Sequence, residues 1–118
     1  MKSILIVDDD KAVLDLLETK LRGKYRTLAT TNPNEALAIA RDKRPDLLLC
    51  DMDMPDMNGM ELAAKVRKQA AGRMPVLFLT GLVTPEEARS GNFKGEQLVA
   101  KTAPIAELLT RIGALIDA

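Results

Sequence analysis

Short apolar runs and amphipathic helical segments alternate along this chain, and this alternation limits the possible folds more than any other feature. The runs predict five strands, at residues 4–7, 25–30, 46–51, 75–80 and 97–100. Short strands that are apolar throughout are buried on both faces. Burial on both faces requires helices on either side of a parallel sheet, so the sequence predicts an α/β fold.

The segments between the strands carry signals for helix starts and ends. Asn32-Pro33 and Thr84-Pro85 each place a capping side chain before a proline that fits the first helical turn. Gly23 suits the C-terminal cap of a first helix predicted from about residue 11 to residue 22. The second helix is predicted to end near residue 43, and the third to cover residues 58 to about 70. The last helix is predicted from an apolar stripe formed by Ile105, Leu108, Leu109, Ile112 and Ile116.

Length and composition fit a single domain covering residues 1–118, because 47% of the residues are apolar and can form a sizeable core. Lys and Arg number 17, as do Asp and Glu, so the net charge gives no reason to expect direct contact with nucleic acid or an anionic membrane. No run approaches the roughly 20 apolar residues of a membrane span, and the N-terminus does not resemble a signal peptide. The single cysteine, Cys50, is assigned to the core and fits a reducing compartment, so we expect a cytoplasmic protein.

Polar side chains stand at the ends of four predicted strands. Asp8 and Asp9 follow the first strand and Asp51 ends the third. Thr80 ends the fourth strand and Lys101 follows the fifth. The carboxyl ends of parallel strands lie at one edge of a sheet, where α/β proteins bind their ligands. We therefore expect three carboxylates, a hydroxyl and an ammonium group to form one pocket.

The chemistry of this pocket indicates a metal ion and a phosphoryl group. Clustered carboxylates repel one another, and a hard divalent cation relieves that repulsion. Oxygen ligands favour Mg²⁺, with Mn²⁺ as the alternative, and the absence of histidine argues against zinc. The cation and Lys101 together would bind a phosphoryl group, and Thr80 could donate a hydrogen bond to it. Asp51 could then act as the nucleophile and form an aspartyl phosphate.

Each of these residues also has an ordinary structural explanation. The acids of residues 8–10 could cap the first helix, and Asp10 is assigned to that role alone. Asp51 could be a loop acid, Thr80 could close a strand, and Lys101 could be a surface lysine. Their joint placement at four strand ends favours the functional interpretation.

The whole set resembles the receiver domain of two-component response regulators, the CheY-like family. The resemblance covers essentially the whole chain, and it is carried by Asp8-Asp9, Asp51, Pro55, Gly59, Thr80 and Lys101. It implies a three-layer, doubly wound (βα)5 fold of the flavodoxin or CheY-like type. The implied sheet has five parallel strands in the order 2-1-3-4-5.

The resemblance also implies a role for each site residue. Asp51 is the implied phosphoacceptor, and Thr80 and Lys101 are the implied contacts to the phosphoryl oxygens. The implied magnesium ligands are Asp9 directly, Asp8 through water, Asp51, and the backbone carbonyl of Asp53. The side chain of Asp53 flanks the pocket and is expected to affect hydrolysis of the aspartyl phosphate.

The resemblance further implies partners and a mode of action. The implied donor is a phosphohistidine on a sensor histidine kinase or a histidine phosphotransfer protein. Phosphorylation would switch protein–protein contacts in a phosphorelay. The chain would catalyse only its own phosphorylation and dephosphorylation, and would not act as an enzyme on other substrates.

Two positions depart from the family pattern. The residue three before the family lysine is usually aromatic and here is Leu98, and the residue after that lysine is usually a cis proline and here is Thr102. Because a cis bond before a non-proline residue costs about 3–4 kcal/mol, we expect a trans bond there. We also expect a short fourth helix, because residues 90–95 contain two glycines. These departures concern the expected signal path to helix four, strand five and helix five, and leave the phosphorylation chemistry intact.

Two alternative functions use some of the same residues. Residues 49–53 also resemble the nucleophile motif of haloacid-dehalogenase-type phosphatases. In that superfamily the second acidic pair comes last in the chain, whereas Asp8-Asp9 comes first here, and little chain remains for a substrate cap. The other alternative is a pseudo-receiver, a binding module with this fold and no phosphorylation, against which the complete acid set argues.

Overall fold

Strands and helices alternate through the part of the chain that the computed structural model describes, which is residues 1–55, 57–70, 74–90 and 97–117. The strands are β1 (Ser3–Val7), β2 (Arg26–Thr30), β3 (Leu47–Asp51), β4 (Val76–Thr80) and β5 (Gln97–Ala100). The helices are α1 (Lys11–Leu21), α2 (Pro33–Lys43), α3 (Gly59–Gln69), α4 (Pro85–Arg89) and α5 (Ile105–Ile116).

The strands form one parallel sheet in the order β2-β1-β3-β4-β5, which confirms the predicted fold class and strand order. Buried residues of α2, α3 and α4 pack against one face of the sheet, and those of α1 and α5 against the other. In β1, Leu5 and Val7 belong to the first of these cores, and Ile4 and Ile6 to the second. Burial of both faces explains why this strand is apolar throughout.

The predicted elements are confirmed, with shifts of one residue at several ends. β1 begins one residue earlier than predicted, and β2, β3 and β4 each begin one residue later. Helix α1 ends at Leu21 with Arg22 as a right-handed C-cap, and Gly23 does not adopt the left-handed conformation. That conformation occurs at Arg44, which caps α2 with a φ of 48°.

The last helix buries a narrower stripe than the sequence predicts. Leu108, Ile112 and Ile116 are buried against the sheet, and Leu109 is partly buried. Ile105, at the start of the helix, is exposed. The predicted stripe has five residues, and Ile105 is the one that lies outside the core.

The strand registers align the carboxyl ends of the central strands. Val7 pairs with Cys50, Asp51 pairs with Leu79, and Thr80 pairs with Ala100. The hydrogen bonding continues past the strand ends, because the N–H of Lys101 donates to the carbonyl of Thr80 at 2.8 Å. The residues that follow β1, β3, β4 and β5 therefore lie at one edge of the sheet.

The structure describes both positions that depart from the family pattern, Leu98 and Thr102. Leu98 is buried in the core and pairs in register with Phe78. No peptide bond among the described residues is cis, so the bond before Thr102 is trans, as predicted.

Helix α4 is short, with five residues, and the glycine-containing segment after Ser90 lies outside the described residues. None of the helices in the described ranges is long and apolar enough to cross a membrane.

Candidate functional site

Four consecutive strands end in the same local turn. After each of β1 to β4, a side-chain oxygen accepts a hydrogen bond from the backbone N–H two residues further on. The bonds are Asp10 N to Asp8 Oδ1 (2.9 Å), Asn32 N to Thr30 Oγ1 (3.0 Å), Asp53 N to Asp51 Oδ1 (3.0 Å) and Leu82 N to Thr80 Oγ1 (3.1 Å). Short oxygen-bearing side chains suit such turns because they satisfy a backbone donor that has left the sheet. The same bonds fix the direction of the side chains at the sheet edge.

Three acidic side chains meet at this edge, as the sequence predicts. Asp8, Asp9 and Asp51 each offer a carboxylate oxygen within 4.8 Å of the others. Asp8 and Asp51 are buried, whereas Asp9 is exposed at the mouth of the cluster. Asp10 does not join them, because its side chain caps α1 by accepting from Ala12 N, which confirms its predicted role.

The burial of Asp8 changes its ionisation. Loss of hydration raises the pKa of Asp8 to about 6, and the charges of Asp51 and Asp9 act in the same direction. The hydrogen bond from the N–H of Asp10 and the charge of Lys101 oppose this rise. Burial first, and then the neighbouring negative charges, therefore outweigh the compensation that Asp10 and Lys101 supply.

Lys101 supplies a positive charge inside the cluster. Its Nζ lies 3.1 Å from Asp51 Oδ1 and 3.8 Å from Asp8 Oδ2. Burial by itself would lower the pKa of Lys101, but the hydrogen bond to Asp51 and the negative charges of Asp8, Asp51 and Asp53 raise it above its ordinary value. The ammonium group is thus held in its charged form between two buried carboxylates.

Two buried oxygens in the cluster have no hydrogen-bond partner among the described residues. They are Asp8 Oδ2 and Asp51 Oδ2. A buried carboxylate oxygen that accepts no hydrogen bond is costly and calls for an explanation, and the ion pair of Asp8 Oδ2 with Lys101 at 3.8 Å is too long to supply that bond. Oxygen-only donors around uncompensated negative charge suit a hard divalent cation such as Mg²⁺ or Mn²⁺. The residues present therefore fit the metal that the sequence predicts.

The hydroxyl of Thr80 has a partner that the sequence did not indicate. Thr80 is buried, and its Oγ1 donates a hydrogen bond to Asp53 Oδ2 at 3.2 Å. The family resemblance implies the backbone carbonyl of Asp53 as a metal ligand, and the side chain was expected to flank the pocket and affect hydrolysis of the aspartyl phosphate. No pattern in the sequence signals this bond, because it joins two loops that are 27 residues apart.

Gly59 occupies a position where a Cβ atom would clash with backbone atoms of β3 and the residue after it. A Cβ atom built on it would lie 2.4 Å from the carbonyl oxygen of Asp51 and 2.8 Å from the Cα of Met52. The N–H of Gly59 donates to the carbonyl of Met52 at 3.1 Å. The first turn of α3 therefore packs directly against the end of β3. The sequence signal was the spacing of eight residues from Asp51 to Gly59, although its physical cause becomes visible only in the fold.

Cys50 lies next to Asp51 but faces the core. It is fully buried among apolar side chains, which confirms its predicted structural role. Burial, together with the charges of Asp51 and Asp8, raises the pKa of the Cys50 thiol to about 12. The thiol therefore stays protonated and is a poor nucleophile at neutral pH.

Topology and site together define a class of protein: a doubly wound α/β domain with an acidic pocket at the carboxyl edge of its sheet. Comparison with known proteins narrows this class, because the family model of the response regulator receiver domain matches residues 4–113. The chain belongs to that family, the receiver domains of two-component signal transduction.

Individual relatives agree with this assignment. The chain is 32% identical over 116 residues to the probable transcriptional regulatory protein TcrX of Mycobacterium tuberculosis, and the match covers 97% of this chain and 49% of that protein. The chain thus spans about half the length of that relative. Among solved structures, it resembles the chemotaxis protein CheY4 of Vibrio cholerae, with 29% identity, a TM-score of 0.83 and 98% of each chain covered. It also resembles a CheY-like receiver domain protein of Methanospirillum hungatei, with 32% identity, a TM-score of 0.83, and 99% of this chain and 94% of that one covered.

Proposed function

We propose that Asp51 accepts a phosphoryl group from a phosphohistidine on a histidine kinase or a histidine phosphotransfer protein. The observation that carries this proposal is the difference in hydrogen bonding between the two oxygens of the Asp51 carboxylate. Its Oδ1 is held by Lys101 and by the N–H of Asp53, while its Oδ2 is buried and has no hydrogen-bond partner among the described residues. One oxygen is thus oriented by the protein, and the other has no hydrogen bond to lose when it forms a new bond.

The transfer needs one nucleophile and compensation of charge. Asp51 Oδ2 forms the new bond to phosphorus, the P–N bond of the donor breaks, and the imidazole leaves with the electron pair of that bond. Lys101 lies close enough to Asp51 to stabilise the negative charge that gathers on the phosphoryl oxygens. Little further chemistry is required, because phosphoryl transfer depends mainly on positioning and charge neutralisation.

A divalent cation would be held by Asp8, Asp9 and Asp51, whose oxygens already lie within 4.8 Å of one another. The backbone carbonyl of Asp53 is a further proposed ligand. When bound, Mg²⁺ would neutralise charge on these carboxylates and on the phosphoryl oxygens.

Phosphorylation would then change how the domain contacts other proteins. An aspartyl phosphate adds a doubly charged group at a site where Lys101 is the nearest cation of the described residues. Thr80 and Lys101 are the proposed contacts to it, and a shift of Thr80 would alter the loop between β4 and α4. The chain would act as a cytoplasmic phosphorelay component through protein contacts, without direct contact to nucleic acid or membrane and without turnover of other substrates.

Labelling with a small phosphodonor tests the proposal. The wild-type chain is expected to gain one phosphoryl group from acetyl phosphate in the presence of Mg²⁺, and to gain almost none when EDTA is present. Asp51→Asn should abolish the gain, because an amide cannot form an acyl phosphate. Mass measurement of the intact protein and of the peptide that contains Asp51 gives the stoichiometry and the position.

Asp15→Asn is the matched control, since Asp15 is an exposed carboxylate on α1 that pairs with Lys11. It should be labelled like the wild type. Stoichiometric labelling that persists in Asp51→Asn would refute the site, and repeated turnover of p-nitrophenyl phosphate by the wild type would favour a phosphatase instead.

A further inference from the structure

The hydroxyl of Thr80 donates one hydrogen bond and accepts another in the unphosphorylated chain. Its oxygen accepts from Leu82 N at 3.1 Å, and the hydroxyl donates to Asp53, with 3.2 Å between Thr80 Oγ1 and Asp53 Oδ2. A threonine hydroxyl has one proton to donate. It can therefore donate to Asp53 or to a phosphoryl oxygen on Asp51, but not to both.

We propose that the carboxylate of Asp53 is a latch that holds Thr80 in the unphosphorylated state and competes with the phosphoryl group for its hydroxyl. This inference rests on the proposed function, since it concerns how the same site changes state. It gives the Asp53 side chain a positioning role that is separate from the metal-binding role of its backbone carbonyl.

The surroundings of the two side chains favour a switch of this kind. Thr80 is buried and fixed by its place at the end of β4, where it pairs with Ala100. Asp53 is exposed and lies on a loop, so its carboxylate can return to water when the hydroxyl leaves. The hydrogen bond is charge-assisted, which makes it stronger than a bond between neutral groups. The unphosphorylated arrangement is thus stabilised by a contact that phosphorylation must replace.

The N–H of Leu82 reports on the latch without any ligand. Because this N–H donates to Thr80 Oγ1, a change in the hydroxyl's other hydrogen bond changes its electronic environment. Asp53→Ala is expected to shift the Leu82 amide resonance of the metal-free, unphosphorylated chain. Asn32 N donates to Thr30 Oγ1 in the equivalent turn after β2, so the Asn32 amide is an internal control that should not move. An unmoved Leu82 amide in Asp53→Ala would overturn the latch.

A double-mutant cycle with beryllofluoride, an analogue of the phosphoryl group, measures the competition. Its affinity is measured in saturating Mg²⁺ for the wild type, Asp53→Ala, Thr80→Val and the double variant. The loss of the Asp53 charge should, by itself, strengthen beryllofluoride binding by the same factor whether residue 80 is threonine or valine. If the latch exists, Asp53→Ala also frees the Thr80 hydroxyl to bind the anion. The gain in affinity should then be about threefold or more larger with Thr80 than with valine at position 80, a coupling typical of residues in contact.

The outcomes separate the latch from the proposed function. Equal effects of Asp53→Ala in the Thr80 and Thr80→Val backgrounds would overturn the latch while leaving the phosphoacceptor site intact. Absence of beryllofluoride binding and of Asp51 labelling in the wild type would refute the proposed function, whatever the Leu82 amide shows. Thermal unfolding of each variant identifies any that is not folded, and Asp53→Asn, which keeps a neutral acceptor oxygen, should give an intermediate gain over the wild type.

Discussion

At the scale of single residues, Gly59 shows how packing can constrain a site without touching its chemistry. The carbonyl oxygen of Asp51 and the Cα of Met52 lie so close to Gly59 that they leave no room for a Cβ atom there. Both neighbours are backbone atoms, which cannot rotate away as a side chain can. A side chain at position 59 must therefore displace either α3 or the end of β3, and the end of β3 carries the proposed phosphoacceptor.

Gly59→Ala should consequently lower both stability and reactivity. We expect a loss of about 1–3 kcal/mol in the free energy of unfolding, the range for overpacked sites, and slower labelling of Asp51 by acetyl phosphate. Gly113→Ala in α5 is the matched control, because the nearest atom to its added Cβ is 3.9 Å away and alanine favours a helix. Urea denaturation and labelling kinetics check both variants. Unchanged stability in Gly59→Ala would show that the backbone contact relaxes freely.

The placement of the site residues could be predicted from the sequence where it depends on position along a strand. Asp8, Asp51 and Lys101 were found because each stands at the end of an apolar run, and parallel strands bring such ends together. The bond from Thr80 to Asp53 could not be predicted in this way. It depends on the path of two loops and on side-chain rotation, neither of which leaves a periodic signal in the sequence.

At the scale of secondary-structure elements, the helix starts follow the sequence more closely than the helix ends. Asn32, Asn58 and Thr84 each accept a hydrogen bond from an N–H of the first turn, and Thr84 also forms a capping box with Glu87. These bonds are local, so a few neighbouring residues determine them. Helix ends depend on where the chain goes next. Arg44 adopts the left-handed conformation although a glycine would do so at lower cost.

The two asparagine caps allow a test of whether α3 has a special place beside the site. Asn58→Ala and Asn32→Ala each remove a cap and should each cost about 1 kcal/mol of stability. Only Asn58 caps the helix whose first residue contacts Asp51, so Asn58→Ala alone should slow labelling of Asp51 by acetyl phosphate. Equal slowing in both variants would mean that labelling follows overall stability, with no specific contribution from α3.

At the scale of the whole molecule, the fold assembles a cluster of like charges from distant parts of the chain. The sheet order brings β1 and β3 side by side, and with them the acids of residues 8, 9 and 51. The folded chain therefore contains a repulsion that the unfolded chain lacks. Stability and metal binding are linked for this reason, because a cation that binds only the folded chain adds to its stability.

Asp8 gives this linkage a defined pH dependence. The pKa of Asp8 is about 6 in the folded chain against an ordinary value of 3.8, so the folded chain binds more protons than the unfolded chain between these two values. The contribution of Asp8 to stability is thus present in full below about pH 4 and is lost as the pH rises through about 6. At pH 7 the residue is a buried charge beside Asp51 and Asp9, compensated in part by Lys101.

Asp8→Asn should therefore stabilise the metal-free chain at pH 7 by about 3 kcal/mol, since the pKa of Asp8 lies about two pKa units above its ordinary value and each corresponds to about 1.4 kcal/mol. The advantage over the wild type should shrink as the pH falls from 7 to 4, because protonation then removes the same charge from the wild type. The stabilisation by Mg²⁺ should be smaller in Asp8→Asn, since one of the proposed metal-binding carboxylates is lost. Urea denaturation at pH 4, 5, 6 and 7, with Mg²⁺ or EDTA, measures all three effects, and Asp15→Asn controls for loss of an exposed carboxylate. A metal-free Asp8→Asn chain that is less stable than the wild type at pH 7 would show that the Asp8 charge is already compensated within the protein.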